Sequence, residues 1–496
     1  MGFRRILLVQ ARYDSEFSNV LPAGIGYLSE YLCAQGIENE VFDLNVKEDT
    51  PERLFKKITM FGPDLLGMSM MSLNYRYNYS VIRHIKRLFP QLPIVVGGPH
   101  VSTMREAVLR ECPEIDYGVV LEGELTLGEL AAGARPREEV KGLMCRTNDG
   151  QVRFNGERGF IEDLDSIPFP RYSKFDRKKY APLISILTSR GCPFQCIYCP
   201  VKLAIGRRFV PRSAVSVAEE IGYHYACGYR EFSFRDDNFT LVPDRVFRIC
   251  DELERKNLKG VYFMCDNGVR ADTLSFELLR RMYQIGFRMI GLGAESGCDT
   301  VLKTLKKGQS LADTERVLRW ASDLNYKIEL YFLIGSPGET WDDFLRSVEL
   351  AERFPVMKAS FYQLLPYPNT ELFEMVRSRG ELLRPPEEYL NDGSQRKNTP
   401  FFQTKEMSRE ERMRAFDYAT TRLAGHLKRV NKRFYRENAL NRFRSLGLGD
   451  TLAGALADIY CVDFVHDAIF NNALTKTLKS SMKNFFLSCR KGRPAA

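Results

Sequence analysis

The sequence ISILTSRGCPFQCIYC, residues 184–199, joins an apolar run typical of a buried strand to three closely spaced cysteines. Cys192, Cys196 and Cys199 fall on one short loop, so their thiolates can share a metal centre. With 12 cysteines in 496 residues, three at one fixed spacing are expected by chance about 0.007 times per chain. Thiolates are the protein ligands of iron–sulfur clusters. Three of them leave one iron of a four-iron cluster open to a small molecule. The alternatives are a structural zinc site without its fourth ligand and three unrelated cysteines.

This stretch also opens a series of alternating strands and helices. Six predicted βα units in about 190 residues favour a barrel or partial barrel, with functional groups at the carboxyl ends of the strands. The strand segments are ISILTSR (184–190), EFSFRDDNF (231–239), VYFMCDN (261–267), FRMIGLGAES (287–296), IELYFLIGSPG (328–338) and ASFYQLLP (359–366). Amphipathic helices are predicted between them.

Residues 1–125 form an earlier series of the same kind. Strands with intervening helices predict a doubly wound parallel sheet, which binds ligands at the carboxyl ends of its strands. Three of these ends carry candidate ligand contacts. The candidates are the small and polar run Ser69–Asn74, which includes Met70, the bare backbone at Gly97-Gly98 before His100, and Glu122-Gly123-Glu124. A dinucleotide fingerprint and a P-loop are both absent from the sequence.

Two further regions complete the organisation of the chain. Residues 142–154 predict a hairpin that turns at Asn148–Gly150, and a proline-containing linker follows it. The strand pattern stops near Pro385, after which the sequence is helical and rich in charge. We therefore predict domains at residues 1–135, 181–384 and 385–496, with the hairpin and linker at 136–180.

The net charge of +9 is unevenly placed. Residues 401–496 contain 18 Lys and Arg against 9 Asp and Glu, so residues 1–400 are neutral. This argues against a protein that is basic all over in order to coat nucleic acid, and we expect no nucleic-acid partner. The basic C-terminal region predicts either a solvated helical cap or an amphipathic surface for an anionic membrane or a lipid-like substrate.

The cysteines and the N-terminus bear on the compartment. The opening segment MGFRRILLVQARYD meets charge too soon for a secretory signal, and no run of about 18 uncharged apolar residues occurs. Twelve cysteines in a chain of this length without a secretory signal indicate the reducing cytosol. There, a tight cysteine cluster is a metal site rather than a set of disulfides. We expect a cytoplasmic protein, with peripheral membrane contact as a hypothesis.

The cysteine motif, with an aromatic residue just before its third cysteine, resembles the radical S-adenosylmethionine (SAM) superfamily over about residues 180–370. The resemblance implies that Cys192, Cys196 and Cys199 are the catalytic, metal-binding residues that hold a [4Fe–4S] cluster. It also implies that SAM chelates the open iron and is split by one electron into methionine and a 5′-deoxyadenosyl radical.

The resemblance further implies SAM contacts from residues at or near the predicted strand ends. Singly, these residues have ordinary explanations, since an Asp-Asp-Asn after a strand is often a helix cap and a glycine pair is often only a turn. Their common position downstream of the cysteines is what supports the prediction. The predicted SAM residues are Tyr198, Asp236, Asp237, Asn267, Arg270, Glu295, Ser296 and Gly335.

Residues 1–135 are similar to the cobalamin-binding domain that is fused to one large branch of radical SAM enzymes. The resemblance rests on LPAGIGYLSEYL, EGELTLGEL and the glycine pair after a buried strand. It implies cobalamin contacts from Ser69, Met70, Gly97, Gly98, His100 and Glu122. No histidine of the chain follows an aspartate by two residues, so the Asp-x-His-x-x-Gly motif that supplies a lower cobalt ligand in many cobalamin proteins is missing. A domain without cofactor is the alternative.

Together the two resemblances imply a cobalamin-dependent radical SAM methyltransferase that acts on an unactivated carbon of a small-molecule or lipid-like substrate. An electron donor such as a reductase, flavodoxin or ferredoxin is implied as a partner. A cobalamin-dependent cyclase or rearrangement enzyme, as in anaerobic porphyrin ring closure, is the alternative. A tRNA methylthiotransferase is a third interpretation, but Cys33, Cys112 and Cys145 do not predict the second cluster of that family.

Overall fold

The computed structural model describes residues 2–13, 19–147, 149–391, 398–445 and 448–460. The chain divides into two units, Met1–Thr420 and Thr421–Ala496. Several features of the sequence lie outside the described residues, namely Asn148 of the predicted hairpin turn and everything from residue 461 onward, including Cys461, His466, Cys489 and the basic segment 476–493. The domain boundaries drawn from the sequence stay predictions.

The first sheet has seven strands in the order β2-β1-β3-β4-β5-β6-β7, and its first five strands are parallel. The strands are β1 (Arg5–Gln10), β2 (Glu38–Asp43), β3 (Leu65–Ser69), β4 (Ile94–Gly97), β5 (Tyr117–Val119), β6 (Leu143–Arg146) and β7 (Val152–Phe154). The helices of this part are α1 (Ala23–Ala34), α2 (Pro51–Phe61), α3 (Tyr75–Leu88), α4 (Pro99–Met104), α5 (Ala107–Glu111) and α6 (Glu124–Ala132).

Both faces of this sheet are buried. In β1, Leu7 and Val9 pack into one core and Ile6 and Leu8 into another on the opposite face, because successive side chains of a strand alternate. This confirms the doubly wound prediction. The predicted hairpin also forms, but it does not stand apart as a connector. It extends the sheet as the antiparallel strands β6 and β7.

The second sheet has six parallel strands in the order β15-β14-β13-β12-β11-β8. They are β8 (Leu183–Ile186), β11 (Glu231–Phe234), β12 (Tyr262–Val269), β13 (Phe287–Glu295), β14 (Lys327–Ile334) and β15 (Lys358–Gln363). A separate antiparallel pair is formed by β9 (Ser189–Arg190) and β10 (Val210–Pro211). The helices are α7 (Val201–Ala204), α8 (Ala214–Ala226), α9 (Pro243–Arg255), α10 (Phe276–Ile285), α11 (Asp299–Thr304), α12 (Leu311–Asp323), α13 (Trp341–Arg353), α14 (Glu371–Ser378) and α15 (Pro386–Tyr389).

Strand β14 shows how the second sheet is packed. Ile328, Leu330 and Phe332 are fully buried, whereas the residues between them are half-buried. One face therefore packs in the core and the other faces the barrel interior, where the Tyr331 hydroxyl donates to the Asp266 carbonyl oxygen of β12 at 2.8 Å. The first and last strands of the sheet, β8 and β15, are not paired with each other. The predicted six-stranded partial barrel is thus confirmed.

The described part of the C-terminal region is helical, as predicted. It contains α16 (Arg409–Ser445), whose 37 residues are rich in charge, and α17 (Asp450–Tyr460). Among the helices that the structure describes, none combines the length and the apolar character that crossing a membrane requires.

Candidate active site

The cysteine loop, residues 191–200, is held at its base by the short pair β9 and β10. The sequence predicted that the first barrel strand runs straight into the loop, but the strand ends earlier. It ends at Ile186, because the Thr188 backbone N–H donates to the Asp236 carboxylate at 3.0 Å instead of extending the strand ladder. Gly191 has φ +81°, and a Cβ there would collide with the Arg208 carbonyl oxygen. Only glycine fits this entry to the loop.

The three loop cysteines are free thiols of intermediate exposure. Burial raises the pKa of Cys192, and burial together with the neighbouring thiols raises the pKa of Cys199 to about 12. The Cys199 backbone N–H donates to the Cys196 carbonyl oxygen at 3.2 Å, so a tight turn connects these two cysteines. A thiol in such a place is deprotonated when a metal supplies positive charge. The donor set is therefore chemically suited to an iron–sulfur cluster.

A single metal ion would require a tighter arrangement of ligands. Across the described ranges, no three His, Cys, Asp or Glu side chains are gathered closely enough to hold one ion. A four-iron cluster binds each thiolate at a different iron, so it needs no such convergence. The other cysteines considered above are Cys33 on α1, Cys112 after α5 and Cys145 in β6, and the last two are buried.

Aromatic residues of the cysteine loop contact two of the predicted strand-end residues. The Tyr198 hydroxyl donates to Glu295 Oε1 at 3.0 Å, and Lys307 Nζ donates to the same oxygen at 2.7 Å. The Arg270 guanidinium lies 3.6 Å from the centre of the Phe194 ring. The structure therefore brings the loop together with the ends of β12 and β13. Sequence reasoning missed Lys307, which sits in a polar stretch that reads as surface.

The two aspartates after β11 have different surroundings. Asp236 is buried and accepts hydrogen bonds from the Thr188 and Ser189 hydroxyls, and the Asn267 side chain donates to its carbonyl oxygen at 3.0 Å. Asp237 lines a cavity. Burial and the adjacent Asp236 raise the pKa of Asp237 to about 6. Asp236 thus ties the end of β11 to the segment that follows β8, while Asp237 faces the open space.

The turn after β14 is built around a buried carboxylate. Glu339 Oε2 accepts the backbone N–H of Gly335 at 2.6 Å and that of Ser336 at 3.0 Å. Arg412 of α16 donates to the Gly335 carbonyl oxygen at 2.7 Å, and its guanidinium fills the space where a side chain at position 335 would go. The backbone of Gly335, a predicted SAM contact, is therefore held in place by Arg412, which lies far along the chain. Ser296, another predicted contact, is buried and accepts from the Cys298 N–H at 3.2 Å.

The Glu339 carboxyl predicts a pH-dependent stability. Burial raises its pKa from 4.5 to about 7, so it favours the folded state at low pH and loses this contribution as the pH rises through 7. This difference in pKa corresponds to a change in the free energy of unfolding on the order of 3 kcal/mol. Glu339→Gln should flatten the dependence of the thermal midpoint on pH between 5 and 8, measured anaerobically. The control is Glu349→Gln, an exposed position of α13. An unchanged slope in Glu339→Gln would contradict the expectation.

A cavity of about 630 Å³ opens at the carboxyl ends of the first sheet. It is bounded on one side by that sheet and on the other by residues before and after the cysteine loop, including Arg190 and Ala204. Its volume is that of a site for a sizeable ligand. Of the predicted cobalamin residues, four line it, namely Ser69, Gly97, Gly98 and Glu122.

Two of the predicted cobalamin residues do not line the cavity. Met70 is buried in the core, and its neighbours Met68 and Met71 line the cavity instead. The His100 ring is fully buried, with Nε2 3.1 Å from the Tyr79 hydroxyl and Nδ1 3.2 Å from the Ser72 hydroxyl. Burial lowers its pKa to about 3, so the ring is neutral. No histidine lies among the described residues of the cavity wall.

Glycines of the strand ends and of the start of α1 line the cavity and leave room for a cofactor there. Gly98 has φ +94°, and a Cβ there would lie 2.9 Å from the Met70 carbonyl oxygen and 3.0 Å from Ser69 Oγ. Glycine at this position therefore lets the chain after β4 pack directly against the end of β3. Gly24, at the start of α1, also lines the cavity, and a Cβ there would meet no atom within 4 Å. In the sequence, Gly24 lies within LPAGIGYLSEYL, one of the segments that carry the cobalamin resemblance, but it was not singled out as a contact.

Comparisons with known proteins match two parts of the chain to known families. Residues 17–131 match the B12 binding domain, and residues 186–351 match the radical SAM superfamily. An uncharacterized methyltransferase of Pyrococcus horikoshii is 29% identical over 395 residues, which cover 77% of this chain and 85% of the relative. The anaerobic magnesium-protoporphyrin IX monomethyl ester cyclase of Rubrivivax gelatinosus is 25% identical, with 76% of this chain and 71% of the relative covered.

Two solved structures share the fold. The radical SAM methyltransferase TsrM from Kitasatospora setae, with tryptophan substrate and a SAM analog bound, matches with a TM-score of 0.67 and 24% identity over 76% of each chain. The cobalamin-dependent SAM radical enzyme OxsB, with aqua-cobalamin and SAM bound, matches with a TM-score of 0.72 and 16% identity. That match covers 97% of this chain and 75% of OxsB.

Proposed function

The chain belongs to the radical SAM superfamily and carries a B12 binding domain ahead of its radical SAM domain, and on that premise we propose that it is a cobalamin-dependent radical SAM methyltransferase. The observation that carries the proposal is the shared cavity. The strand ends of the first sheet and both sides of the cysteine loop bound one space of about 630 Å³. A substrate in that space would lie against both cofactor sites, as transfer between them requires.

In this proposal Cys192, Cys196 and Cys199 bind a [4Fe–4S] cluster. When bound, the cluster and SAM supply a radical that abstracts hydrogen from the substrate, and cobalamin supplies the methyl group. The chain's own part is to hold these groups and to keep water from the reacting centre. Tyr198 and Phe194 serve this role by fixing the loop against Glu295 and Arg270.

We place SAM against the strand ends that converge on the cysteine loop. Asp237, which faces the open space, would accept a hydrogen bond from the SAM amino group. Glu295 is held by Tyr198 and Lys307, so its carboxylate is fixed for a hydroxyl of the ribose. Gly335 and the carboxylate of Glu339 shape the turn that would approach the adenine.

We place cobalamin at the glycine-rich edge of the first sheet. Ser69, Gly97, Gly98 and Glu122 line the cavity and are the contacts we retain from the sequence prediction. Met70 and His100 are not retained, because neither reaches the cavity wall. The proposal therefore gives cobalt no histidine ligand from the described part of the chain.

A cyclase or rearrangement enzyme is the second candidate, favoured by the similarity to the Rubrivivax gelatinosus cyclase. Both candidates produce 5′-deoxyadenosine, but only methyl transfer converts SAM to S-adenosylhomocysteine. The test combines anaerobically reconstituted protein, cobalamin, SAM and reductant with small-molecule extract from cells that lack the gene. We expect S-adenosylhomocysteine to accumulate together with 5′-deoxyadenosine and a product that is one methyl group heavier. A product without added methyl, and no homocysteine compound above the level seen without extract, would sink the methyltransferase.

A small-molecule substrate and an electron donor are the partners of such an enzyme. A flavodoxin or ferredoxin would provide the electron, and the protein would work in the cytoplasm. Contact of the basic C-terminal region with an anionic membrane is supported only by its charge, since much of that region lies outside the described residues. Co-sedimentation with anionic vesicles but not with neutral ones is the measurement that bears on it.

A further inference from the structure

Three charged side chains meet at the cavity wall where the first sheet faces the cysteine loop. Arg190 Nη1 donates to Glu122 Oε1 at 2.9 Å, and Arg190 Nη2 donates to Glu124 Oε1 at 2.6 Å. The side chains of Arg190, Glu122 and Glu124 are only 17%, 9% and 6% exposed. One guanidinium therefore bridges two carboxylates away from bulk water, where such pairs are geometrically strict.

The two carboxylates belong to the cobalamin side of the cavity. They flank Gly123, between the end of β5 and the start of α6. The second oxygen of Glu122 accepts the backbone N–H of Ile161 at 2.7 Å. The guanidinium of Arg190 also lies 5.4 Å from the centre of the Tyr27 ring on α1. Several elements of the N-terminal part thus fix the position of this one guanidinium.

Arg190 itself belongs to the cluster side. It is the last residue of β9, and only Gly191 separates it from Cys192. The turn at Gly191 is tightly packed, because a side chain there would collide with the Arg208 carbonyl oxygen. Arg190 is also paired with Val210 across the base of the loop. A displacement of Arg190 would therefore move the first cysteine with it.

We propose that Arg190 is a positioning residue that locks the cysteine loop to the cobalamin-binding part and so sets the distance between the two metal centres. The proposal rests on the proposed function, since it concerns the relative placement of the two cofactors. It explains why a buried cation faces two carboxylates at this point. Removing either side of a buried ion pair leaves uncompensated charge. The contact between the cysteine loop and the cobalamin-binding part would therefore be lost rather than replaced by another.

The test uses the full-length protein loaded with cluster and cob(II)alamin. The reduced cluster is paramagnetic and speeds the spin relaxation of cob(II)alamin according to their separation. Arg190→Gln should retain iron, cobalamin and SAM cleavage without substrate, but it should lose a large part of this relaxation enhancement. Arg190→Lys, which keeps the charge but cannot bridge both carboxylates, should fall between the two. Wild-type relaxation in Arg190→Gln with both cofactors bound would overturn the proposal.

The chain offers a matched control. Arg281 bridges Asp251 at 2.7 Å and Glu254 at 2.8 Å, but these carboxylates are largely exposed on α9. Arg281→Gln should leave the relaxation unchanged. A change as large as that of Arg190→Gln would show a general effect of losing an ion pair and would overturn the specific role.

Two further measurements test the proposal if a variant or the wild-type protein fails to bind a cofactor. If Arg190→Gln does not retain iron, Glu124→Gln removes one partner of Arg190 without touching the cysteine loop or a proposed cobalamin contact. Reduced relaxation there supports the lock, and wild-type relaxation refutes it.

If the wild-type protein binds no cobalamin, the proposed function fails. The lock is then judged by hydrogen–deuterium exchange of residues 191–209, which should accelerate in Arg190→Gln and not in Arg281→Gln. Unchanged exchange overturns it.

Discussion

Replacing Cys192, Cys196 or Cys199 by alanine is expected to remove the cluster and, with it, all reductive cleavage of SAM. Each thiolate holds a different iron, and cluster binding couples to the order of the loop. The wild-type protein reconstituted anaerobically should contain about four irons per chain. Each single variant should contain close to none and should form no 5′-deoxyadenosine. Iron analysis, absorption of the cluster and quantitation of 5′-deoxyadenosine measure these effects.

Two other cysteines provide the controls. Cys227, which follows α8, is exposed, so Cys227→Ala should behave as wild type. Cys265 lies in β12 and is 1% exposed, so Cys265→Ala should cost stability but not iron. Full iron in a loop variant would contradict the assignment. About eight irons in the wild-type protein would revive the methylthiotransferase interpretation, which needs a second cluster.

The parts of the site that follow from local sequence are those that could be predicted. The cysteine spacing is contained in eight residues, and the strand ends follow from periodicity, so the positions of Asp237 and Glu295 near strand ends could be predicted. The burial of Met70 also has a local cause. Near a strand end, a shift of one residue moves a side chain to the other face, so Met71 reaches the cavity while Met70 enters the core.

The contacts between distant segments could not be predicted. Arg412 reaches Gly335 from a helix that reads as an ordinary charged surface helix. Arg190 meets Glu122 across 68 residues. In each case the sequence shows only a charged residue, and a charged residue usually lies in solvent. The burial of His100 is similar, since its partners Tyr79 and Ser72 come from a neighbouring segment that the sequence does not link to it.

A large side chain in place of Gly24 is expected to weaken cobalamin binding about 100-fold without harming the fold. Gly24 lies in the first turn of α1 and lines the cavity, and a Cβ there would meet no atom within 4 Å. A phenylalanine side chain would therefore extend into the space proposed for the corrin ring. Overlap of this kind costs about 3 kcal/mol, which is about a 100-fold loss of affinity. Replacing a helical glycine does not weaken the helix.

The measurement is equilibrium binding of cobalamin by Gly24→Phe, with iron content and thermal midpoint determined on the same sample. Gly159→Phe is the matched control, since Gly159 also has open space around it but does not line the cavity. We expect Gly24→Phe to keep iron and SAM cleavage while it loses cobalamin, because the cysteine loop and its strand-end contacts are untouched. Normal cobalamin affinity in Gly24→Phe would place the cofactor elsewhere and remove the shared cavity as the basis of methyl transfer.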